Sequence, residues 1–200
     1  MNRLSGVATL EQLIRKSRFI GVCGPIDSAE DAARFVETRG AEGCRHVAFA
    51  WRFGDQVRVD DAGEPGGTAG RPILAALDHF DLDRSIVVVS RFFGGVKLGT
   101  GGLARAYGGT AMAVLQEAPT EPIIATTERI VEGGFEAADA LHRQVDELGG
   151  EKLDERWTPD GVRLHVRLPV DAVAALRTTV REVTRGQGRC VLVEGRGERD

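Results

Sequence analysis

The chain has 200 residues, of which 42% are hydrophobic and 28% charged, a composition typical of a globular protein with one sizeable or two small domains. The 26 Lys and Arg residues against 30 Asp and Glu residues give a net charge of -4. This excludes a globally basic nucleic-acid binder but leaves room for a local basic patch.

The cysteines and the apolar segments indicate a cytoplasmic protein. Cys23, Cys44 and Cys190 are odd in number and far apart, which argues against both a disulfide framework and a zinc module. No apolar run approaches the length of a membrane-spanning helix, and the first residues do not resemble a signal peptide. We therefore expect no membrane association, no metal and no cofactor.

The first part of the chain is predicted to mix strands and helices. Arg18–Ile26 is a strand candidate, and Ser28 with Asp31 has the spacing of a helix-capping motif. His46–Phe53 and Gln56–Val59 predict a hairpin. Because apolar residues follow each of these signals, we expect the elements to share one core.

Further along, Pro72–Leu77 predicts a short helix, because proline is tolerated in a first helical turn. Ser85–Ser90 is an apolar, β-branched run of the type buried inside a sheet. A helix is expected from Leu103 to Gln116, and the two prolines of Ala118–Pro122 predict a linker.

The remaining residues predict the order strand, helix, strand, strand, helix, strand. These elements are placed at Thr126–Val131, Phe135–Leu148, Glu151–Trp157, Val162–Leu168, a helix capped by Asp171, and Cys190–Val193. This βαββαβ order is the ferredoxin-like arrangement. Both tryptophans, Trp51 and Trp157, are expected to be packing anchors.

Eleven of the 26 glycines fall between Gly63 and Gly109, in two segments. In the first, Asp60–Pro72, free backbone amides at a helix start lie near Thr68 and Arg71, an arrangement suited to an anion. Three carboxylates begin this segment and could bind a divalent cation or pair with arginines: Asp60, Asp61 and Glu64. The alternative is a turn whose acidic side chains cap backbone amides.

The second segment, Arg91–Gly109, follows a buried strand and opens a helix. Arg91, Lys97 and Arg105 place positive charge beside glycine backbone, again suited to an anion. The segment has neither the Walker A order nor a Rossmann fingerprint. The alternative is that the glycines permit tight strand–helix packing while the cations lie in solvent.

Together the two segments resemble the signatures of the IMPACT / YigZ family. The motifs are Asp60-Asp-x-Gly-Glu-Pro-x-Gly-Thr-Ala-Gly-x-Pro72 and Arg91-Phe-Phe-Gly-Gly-x-Lys-Leu-Gly-Thr-Gly-Gly-Leu-x-Arg-Ala-Tyr-Gly. Lys16–Ile20 and His46 also match, so the resemblance spans about residues 7–117. Ala48 departs from the cysteine common in relatives, and Ala62 is an insertion that lengthens the acidic turn.

The resemblance implies an α+β protein of two domains. Residues 1–120 would form a domain similar to ribosomal protein S5 domain 2 and to a domain of the ribosomal translocase. Residues 124–196 would form the ferredoxin-like domain of the family's bacterial members. Eukaryotic relatives act in translational control of the starvation stress response, through an N-terminal domain without a counterpart here.

The resemblance also implies a candidate surface. Its expected ligand-binding residues are Thr68, Arg71, Arg91, Lys97, Thr100, Arg105 and Tyr107, with acidic Asp60, Asp61 and Glu64 and polar His46. We expect the two glycine segments to meet in one amide-lined recess.

The first functional hypothesis is a non-catalytic regulator of translation that binds RNA or the ribosome. Arg177, Arg181 and Arg185 recur every four residues and predict a basic stripe on the last helix. Arg163 and Arg167, with His165 between them, predict a positive strand face that could meet RNA backbone. The alternative for each is a solvated outer face, and no aromatic residue alternates with these strand residues.

The second hypothesis is an enzyme that acts on a phosphorylated or otherwise anionic small molecule at the glycine segments. Arg71, Lys97 and Arg105 would hold the anion, the acidic residues a metal or a proton, and His46 would be a general base. Some relatives are labelled proline dipeptidases, but this chain lacks the set of convergent ligands that a dinuclear peptidase needs.

Overall fold

The computed structural model describes residues 1–193, which form two compact units. The first covers Met1–Ile123 and the second begins at Ile124. The predicted end of the second domain, residue 196, lies outside the described residues. Helices and strands are mixed in both units, so the α+β prediction is confirmed.

The first unit is built on a five-stranded antiparallel sheet. Its strands are β2 (Ala8–Ile14), β3 (Ser17–Pro25), β4 (His46–Phe53), β5 (Gln56–Asp60) and β6 (Ser85–Phe92), in the order β2-β3-β6-β4-β5. Its helices are α1 (Ala29–Arg39), α2 (Gly70–His79) and α3 (Thr100–Glu117). The hairpin β4–β5 and the buried strand β6 confirm the sequence predictions.

Strand β6 is central, and both of its faces are covered. Val87 and Val89 pack into the core that α2 and α3 close, whereas Ile86 and Val88 pack into the core beneath α1. A strand buried on both faces has no alternation of polar and apolar residues. This explains the continuous apolar run in the sequence.

Helix α1 begins where the capping motif predicts. The Ser28 hydroxyl accepts a hydrogen bond from the Asp31 amide at 3.1 Å, and the Asp31 carboxylate accepts one from the Asp27 amide at 3.1 Å. The Ser28 hydroxyl therefore satisfies one of the amides that a helix start leaves without a partner, and the Asp31 carboxylate binds the residue that precedes the cap.

A small two-stranded sheet closes the first unit. Strand β1 (Asn2–Leu4) pairs antiparallel with β7 (Thr120–Pro122). The prediction of a linker over Ala118–Pro122 is therefore wrong, because most of this segment is bound to the amino-terminal residues. Pro122 is compatible with β7 because each strand of a two-stranded sheet has an open edge.

The second unit has the ferredoxin-like order. It contains β8 (Thr126–Gly133), α4 (Ala138–Glu147), β9 (Glu151–Thr158), β10 (Gly161–Pro169), α5 (Val173–Val183) and β11 (Arg189–Leu192). The antiparallel sheet has the order β11-β8-β10-β9, and its apolar face packs against both helices.

Three local predictions in this unit are wrong. Asp171 does not cap α5, because it lies in a short 3₁₀ turn, Val170–Ala172, that precedes the helix. Arg185 lies beyond the end of α5, with a φ of 52°. Trp157 is 58% exposed and is not a packing anchor, whereas Trp51 is 6% exposed and packs beneath α1.

No helix within residues 1–193 is long and apolar enough to cross a membrane.

The loop after β6 lies directly on the turn between β2 and β3. A Cβ atom placed on Gly94 would overlap the Lys16 carbonyl and approach the Ser17 nitrogen to 2.7 Å. The Gly94 amide also donates to the Ser17 hydroxyl at 3.3 Å. Glycine is therefore needed at this position for a close approach of two backbones.

We expect Gly94→Ala to lower the free energy of unfolding of the first unit by about 1–3 kcal/mol, because the methyl group has no room. Gly109→Ala is the matched control. It lies in α3 with open space around it, and alanine there should stabilise the helix by up to about 1 kcal/mol. Urea unfolding followed by the fluorescence of Trp51, in a Trp157→Phe background, measures both. Equal midpoints for the two variants would contradict the packing argument.

Candidate functional site

The first glycine segment folds around the side chain of Asp61. One carboxylate oxygen accepts hydrogen bonds from the amides of Ala69 (2.8 Å) and Gly70 (2.9 Å), and the other accepts one from the Gly67 amide (2.7 Å). Burial alone would raise the pKa of Asp61, but these amides and the nearby Arg71 guanidinium hold it below its usual range.

This geometry corrects the prediction for the start of α2. The amides that were expected to receive an external anion are occupied by the Asp61 carboxylate. The Thr68 hydroxyl is likewise used internally, because it donates to the Pro65 carbonyl at 2.6 Å. The alternative interpretation, a turn whose acidic residues cap backbone amides, describes this end of the segment. Arg71 is exposed in the first turn of α2.

Glu64 connects the two glycine segments. Its carboxylate oxygen Oε1 accepts hydrogen bonds from the Arg91 guanidinium at 2.7 Å and from the Tyr107 hydroxyl at 2.9 Å. The Glu64 and Arg91 side chains are 5% and 7% exposed. Burial, together with the negative charge of Glu64, raises the pKa of Tyr107 far above its ordinary value.

Tyr107 therefore belongs to the core and not to a ligand surface. Its ring packs edge to face against Phe19, with 5.3 Å between the ring centroids. Because its hydroxyl is bound to Glu64, the prediction of Tyr107 as a ligand-binding residue is wrong. Arg91 has a structural role as well, but it also lines the recess described next.

The two segments meet in an open recess of about 330 Å³ at the start of α3. The recess is lined by Glu64, Pro65, Arg91, Phe93, Lys97, Leu98, Gly99, Thr100 and Leu103. The first segment contributes Glu64 and Pro65, and the second contributes the rest. The convergence predicted from the sequence is therefore present.

The start of α3 differs from that of α2. No side chain within residues 1–193 caps α3 at Gly99, and the first turn of α3 holds no acidic residue. Lys97 and Thr100 are exposed at the recess, and the Arg105 guanidinium lies beside Gly101. An uncapped helix start carries partial positive charge on its free amides, and two side-chain cations add to it.

Phe93, which was not among the predicted site residues, also lies at the recess. This ring is 57% exposed and lies between the recess and a second hollow of about 250 Å³ lined in part by Arg45 and His46. The Arg91 guanidinium carbon lies 5.5 Å from the ring centroid. Its position could have indicated its exposure, because Phe93 is an apolar residue just past the end of β6, where burial within the sheet ends.

His46 is positioned by a contact with the backbone of Ala62. The ring nitrogen Nδ1 lies 2.8 Å from the Ala62 carbonyl oxygen, which can only accept, so Nδ1 carries the proton. Ala62 has a φ of 49°, and its amide donates to the Asp60 carboxylate at 2.7 Å. The acidic residues Asp60, Asp61 and Glu64 are thus all bound to internal donors, and residues 1–193 contain no cluster of metal-ligating side chains.

The predicted positive strand face of the second unit is neutralised. Arg167 pairs with Glu128 at 3.0 Å and with Glu151 at 3.2 Å, and Arg163 pairs with Glu132 at 3.5 Å. Hydrogen bonds from Arg167 and His165 lower the pKa of Glu128. The prediction of a basic face on β10 is therefore wrong, because β8 and β9 place carboxylates beside each arginine.

The basic stripe is shorter than predicted. Arg177 and Arg181 are exposed on α5, while Arg185 lies in the turn that follows it. Within residues 1–193, none of these three arginines forms an ion pair.

We expect Asp61→Asn to lower stability at about pH 7 by about 1 kcal/mol, the usual effect of losing a helix-start cap. The pKa of Asp61 is depressed in the folded state, so its contribution is present above the unfolded pKa and is lost as pH falls through the folded pKa. The difference between wild type and variant should therefore shrink towards about pH 3. Urea unfolding at both pH values measures it.

Asp55→Asn is the control, since Asp55 is exposed in the β4–β5 turn and accepts no side-chain hydrogen bond from any described residue. A loss that stays constant with pH in Asp61→Asn, or that equals the loss in Asp55→Asn, would contradict the assigned role of the Asp61 charge.

Comparison with known proteins places this geometry in a family. Residues 15–115 match the Impact N-terminal domain. The chain is 40% identical to "IMPACT family member in pol 5'region" of Thermus thermophilus, over 78% of this chain and 87% of that protein. It is 33% identical to "IMPACT family member YigZ" of Escherichia coli strain K12, over 93% and 94%.

A solved structure described as "Crystal structure of an hypothetical protein" superposes with a TM-score of 0.76 at 32% identity, over 96% of this chain and 97% of that one. The matched Impact N-terminal domain contains the recess and both glycine segments, and the match to the Escherichia coli relative extends over 93% of the chain. The chain belongs to the IMPACT family.

Proposed function

We propose that this protein is a non-catalytic, cytoplasmic regulator of translation that binds RNA, alone or on the ribosome. The contact would be made by the recess at the start of α3 and the exposed ring of Phe93. The observation that carries the proposal is the contrast between the two helix starts of the first unit.

The amides at the start of α2 are bound by a side chain, whereas those at the start of α3 face the recess. Asp61 occupies the first amides of α2, whereas no side chain in the described part of the chain caps α3. Lys97, Thr100 and Arg105 are exposed beside that open start. Oriented amides with neighbouring cations suit a phosphate group, which is the repeating anion of an RNA backbone.

Phe93 supplies the second element of single-strand recognition. Its ring is exposed at the edge of the recess, with the Arg91 guanidinium near the ring. Proteins that bind single-stranded nucleic acid combine a positive surface with aromatic rings on which bases stack. Arg45, exposed at the neighbouring hollow, continues the positive surface on the other side of this ring.

A second contact is proposed for the exposed arginines of the second unit, Arg177, Arg181 and Arg185. Arg163 and Arg167 are poorer candidates because each is paired with a carboxylate. A role in stress-dependent control of translation would be exerted through these RNA contacts.

The same recess also favours a second candidate, an enzyme or carrier for a small anionic molecule. A volume of about 330 Å³ beside Lys97 and Arg91 could hold a phosphorylated metabolite. The non-catalytic alternative is preferred because the Asp61 and Glu64 carboxylates are occupied by internal donors. His46 uses only Nδ1 in its contact with Ala62, so its Nε2 atom is the group that would accept a proton in the second candidate.

We expect a fluorescein-labelled single-stranded RNA of about 12 nucleotides to bind in an anisotropy assay, with an affinity that falls steeply from about 50 to about 200 mM salt. Lys97→Ala with Arg105→Ala should weaken binding and reduce the slope of log K against log salt by about 0.7 for each lost phosphate contact. Phe93→Ala should weaken binding about tenfold through lost stacking, with little change in that slope.

The matched control is Arg34→Ala, which removes an exposed arginine of α1 whose ion pair is with Asp31 of the same helix. Its binding should equal that of wild type. Absence of RNA binding at about 50 mM salt, or equal losses in Arg34→Ala and Lys97→Ala, would refute RNA contact at the recess. Calorimetric binding of a phosphorylated metabolite that Lys97→Ala abolishes would favour the second candidate.

The ribosome provides a separate test of the second contact. Replacement of Arg177, Arg181 and Arg185 by glutamate should reduce co-sedimentation with ribosomes at low salt while leaving the fold intact, because all three side chains are exposed. Arg163→Glu with Arg167→Glu is the comparison and should affect co-sedimentation less. Equal loss in both variants would show that the stripe has no special role.

A further inference from the structure

Strand β5 forms one edge of the five-stranded sheet in the first unit. All five of its residues are exposed, and among the described residues it pairs only with β4. An edge strand of this kind presents unpaired backbone N–H and C=O groups that can bind a further strand. Two of its side chains are apolar as well, since Val57 and Val59 are 42% and 38% exposed. Strand β5 therefore offers both free backbone groups and apolar surface to another chain.

The turn before β5 determines which of its backbone groups point outward. Phe53 and Gln56 flank the two-residue turn 54–55 and lie opposite each other in the strand register. The closing hydrogen bond of such a turn joins its first and last residues, which makes them a hydrogen-bonded pair. Hydrogen-bonded and non-hydrogen-bonded pairs alternate along an antiparallel ladder. Val57 and Val59 therefore direct their backbone groups away from β4.

The side chains of β5 alternate between the two faces of the sheet. Arg58 lies opposite Trp51, and Asp60 lies opposite Phe49. Because Trp51 and Phe49 pack in the core beneath α1, both charged side chains lie on that face. Val59, between them in the sequence, lies on the other face. One face of this edge thus carries a cation and an anion two residues apart.

Both charged groups retain binding capacity within residues 1–193. Arg58 forms no ion pair there, and its guanidinium carbon lies 5.9 Å from the centroid of the Phe49 ring. Asp60 accepts one hydrogen bond, from the Ala62 amide to Oδ1 at 2.7 Å. Its other carboxylate oxygen, Oδ2, accepts none from a described residue. An exposed cation and an exposed carboxylate oxygen are therefore both open to a partner strand.

We propose that β5 pairs antiparallel with β5 of a second copy of this chain, in the register that places Val59 opposite Val59 on a twofold axis. In this register the two outward-facing Val59 residues exchange backbone hydrogen bonds. Arg58 of each copy then lies opposite Asp60 of the other copy, on the same face of the extended sheet. Because a twofold interface repeats every contact, the order Arg58-Val59-Asp60 provides two ion pairs and one apolar pair.

The charges also distinguish this register from its neighbour. A register centred on Arg58 would place two guanidinium groups directly opposite each other, and like charges in that position destabilise a sheet. A charged residue on an edge strand normally prevents pairing with other chains. Here the charge of Arg58 is matched by Asp60 of the same strand, so β5 is complementary to itself. A second copy is therefore the occupant that the sequence of this edge selects.

Sedimentation equilibrium of the whole chain should show dimers with a dissociation constant below about 100 µM. Arg58→Asp and Asp60→Arg should each weaken dimerisation at least about tenfold, because each places like charges opposite each other at two positions. An equimolar mixture of the two variants should form a heterodimer, since opposite charges then meet at both positions. Thr9→Asp is the matched control. It places an acidic side chain on β2, the other edge of the sheet, and should dimerise like wild type.

Amide hydrogen exchange followed by NMR tests the same contact in the unchanged protein. The Val59 amide should exchange more slowly as the protein concentration rises. Val59→Pro removes this outward amide without removing a hydrogen bond to β4, so it should abolish dimerisation and keep the fold.

A wild-type chain that is monomeric at about 100 µM would overturn the proposal. Exchange of the Val59 amide that is independent of concentration would do the same. Dimers that Arg58→Asp leaves unchanged, or that Thr9→Asp weakens as much as Arg58→Asp does, would assign the interface to another surface and would also overturn it.

Discussion

The architecture of the first unit depends on one buried carboxylate. The Glu64 side chain is almost completely buried, and its carboxylate accepts hydrogen bonds from both Arg91 and Tyr107. A buried charge is tolerated only when it is paired, and removing one partner from such a pair typically costs about 3–5 kcal/mol. Because Glu64 belongs to the first glycine segment and its partners to the second, this contact fixes the two segments against each other. The recess lies between these two segments, so its shape depends on the Glu64 contact.

The two glycine segments lead into helix starts that have different roles, one at α2 and one at α3. Both α2 and α3 follow glycine-rich backbone, and both present free amides at their first turns. The chain supplies its own anion to α2, in Asp61, whereas none of the residues that the structure describes supplies one to α3. The contacts of Asp61 at the start of α2 stabilise the fold of the first segment. The uncapped start of α3 faces the recess. A glycine-rich segment before a helix therefore predicts an anion site only where no acidic residue upstream can fold back onto the amides.

The sequence predicted those elements whose signals are local. The Ser28–Asp31 cap, the β4–β5 hairpin, the buried run of β6 and the ferredoxin-like order each follow from residues close together in the chain. Pairing between distant residues was not predictable. The β1–β7 sheet joins the two ends of the first unit through three residues each, and the carboxylates that neutralise Arg163 and Arg167 come from strands whose register the sequence does not encode locally. The prediction that Trp157 is a packing anchor failed because the sequence does not show how far the helices extend over the sheet.

Arg91 connects the buried pair to the exposed surface. One of its guanidinium nitrogens binds Glu64, and the guanidinium carbon lies 5.7 Å from the ring centroid of Phe19 and 5.5 Å from that of Phe93. Its Nε atom has no hydrogen-bond partner among the described residues, so aromatic faces supply much of its environment. The inner side of Phe93 is thereby held next to a cation while its outer part remains in solvent. In the proposed complex, the residue that positions the recess also positions the stacking surface, and the two elements act as one site.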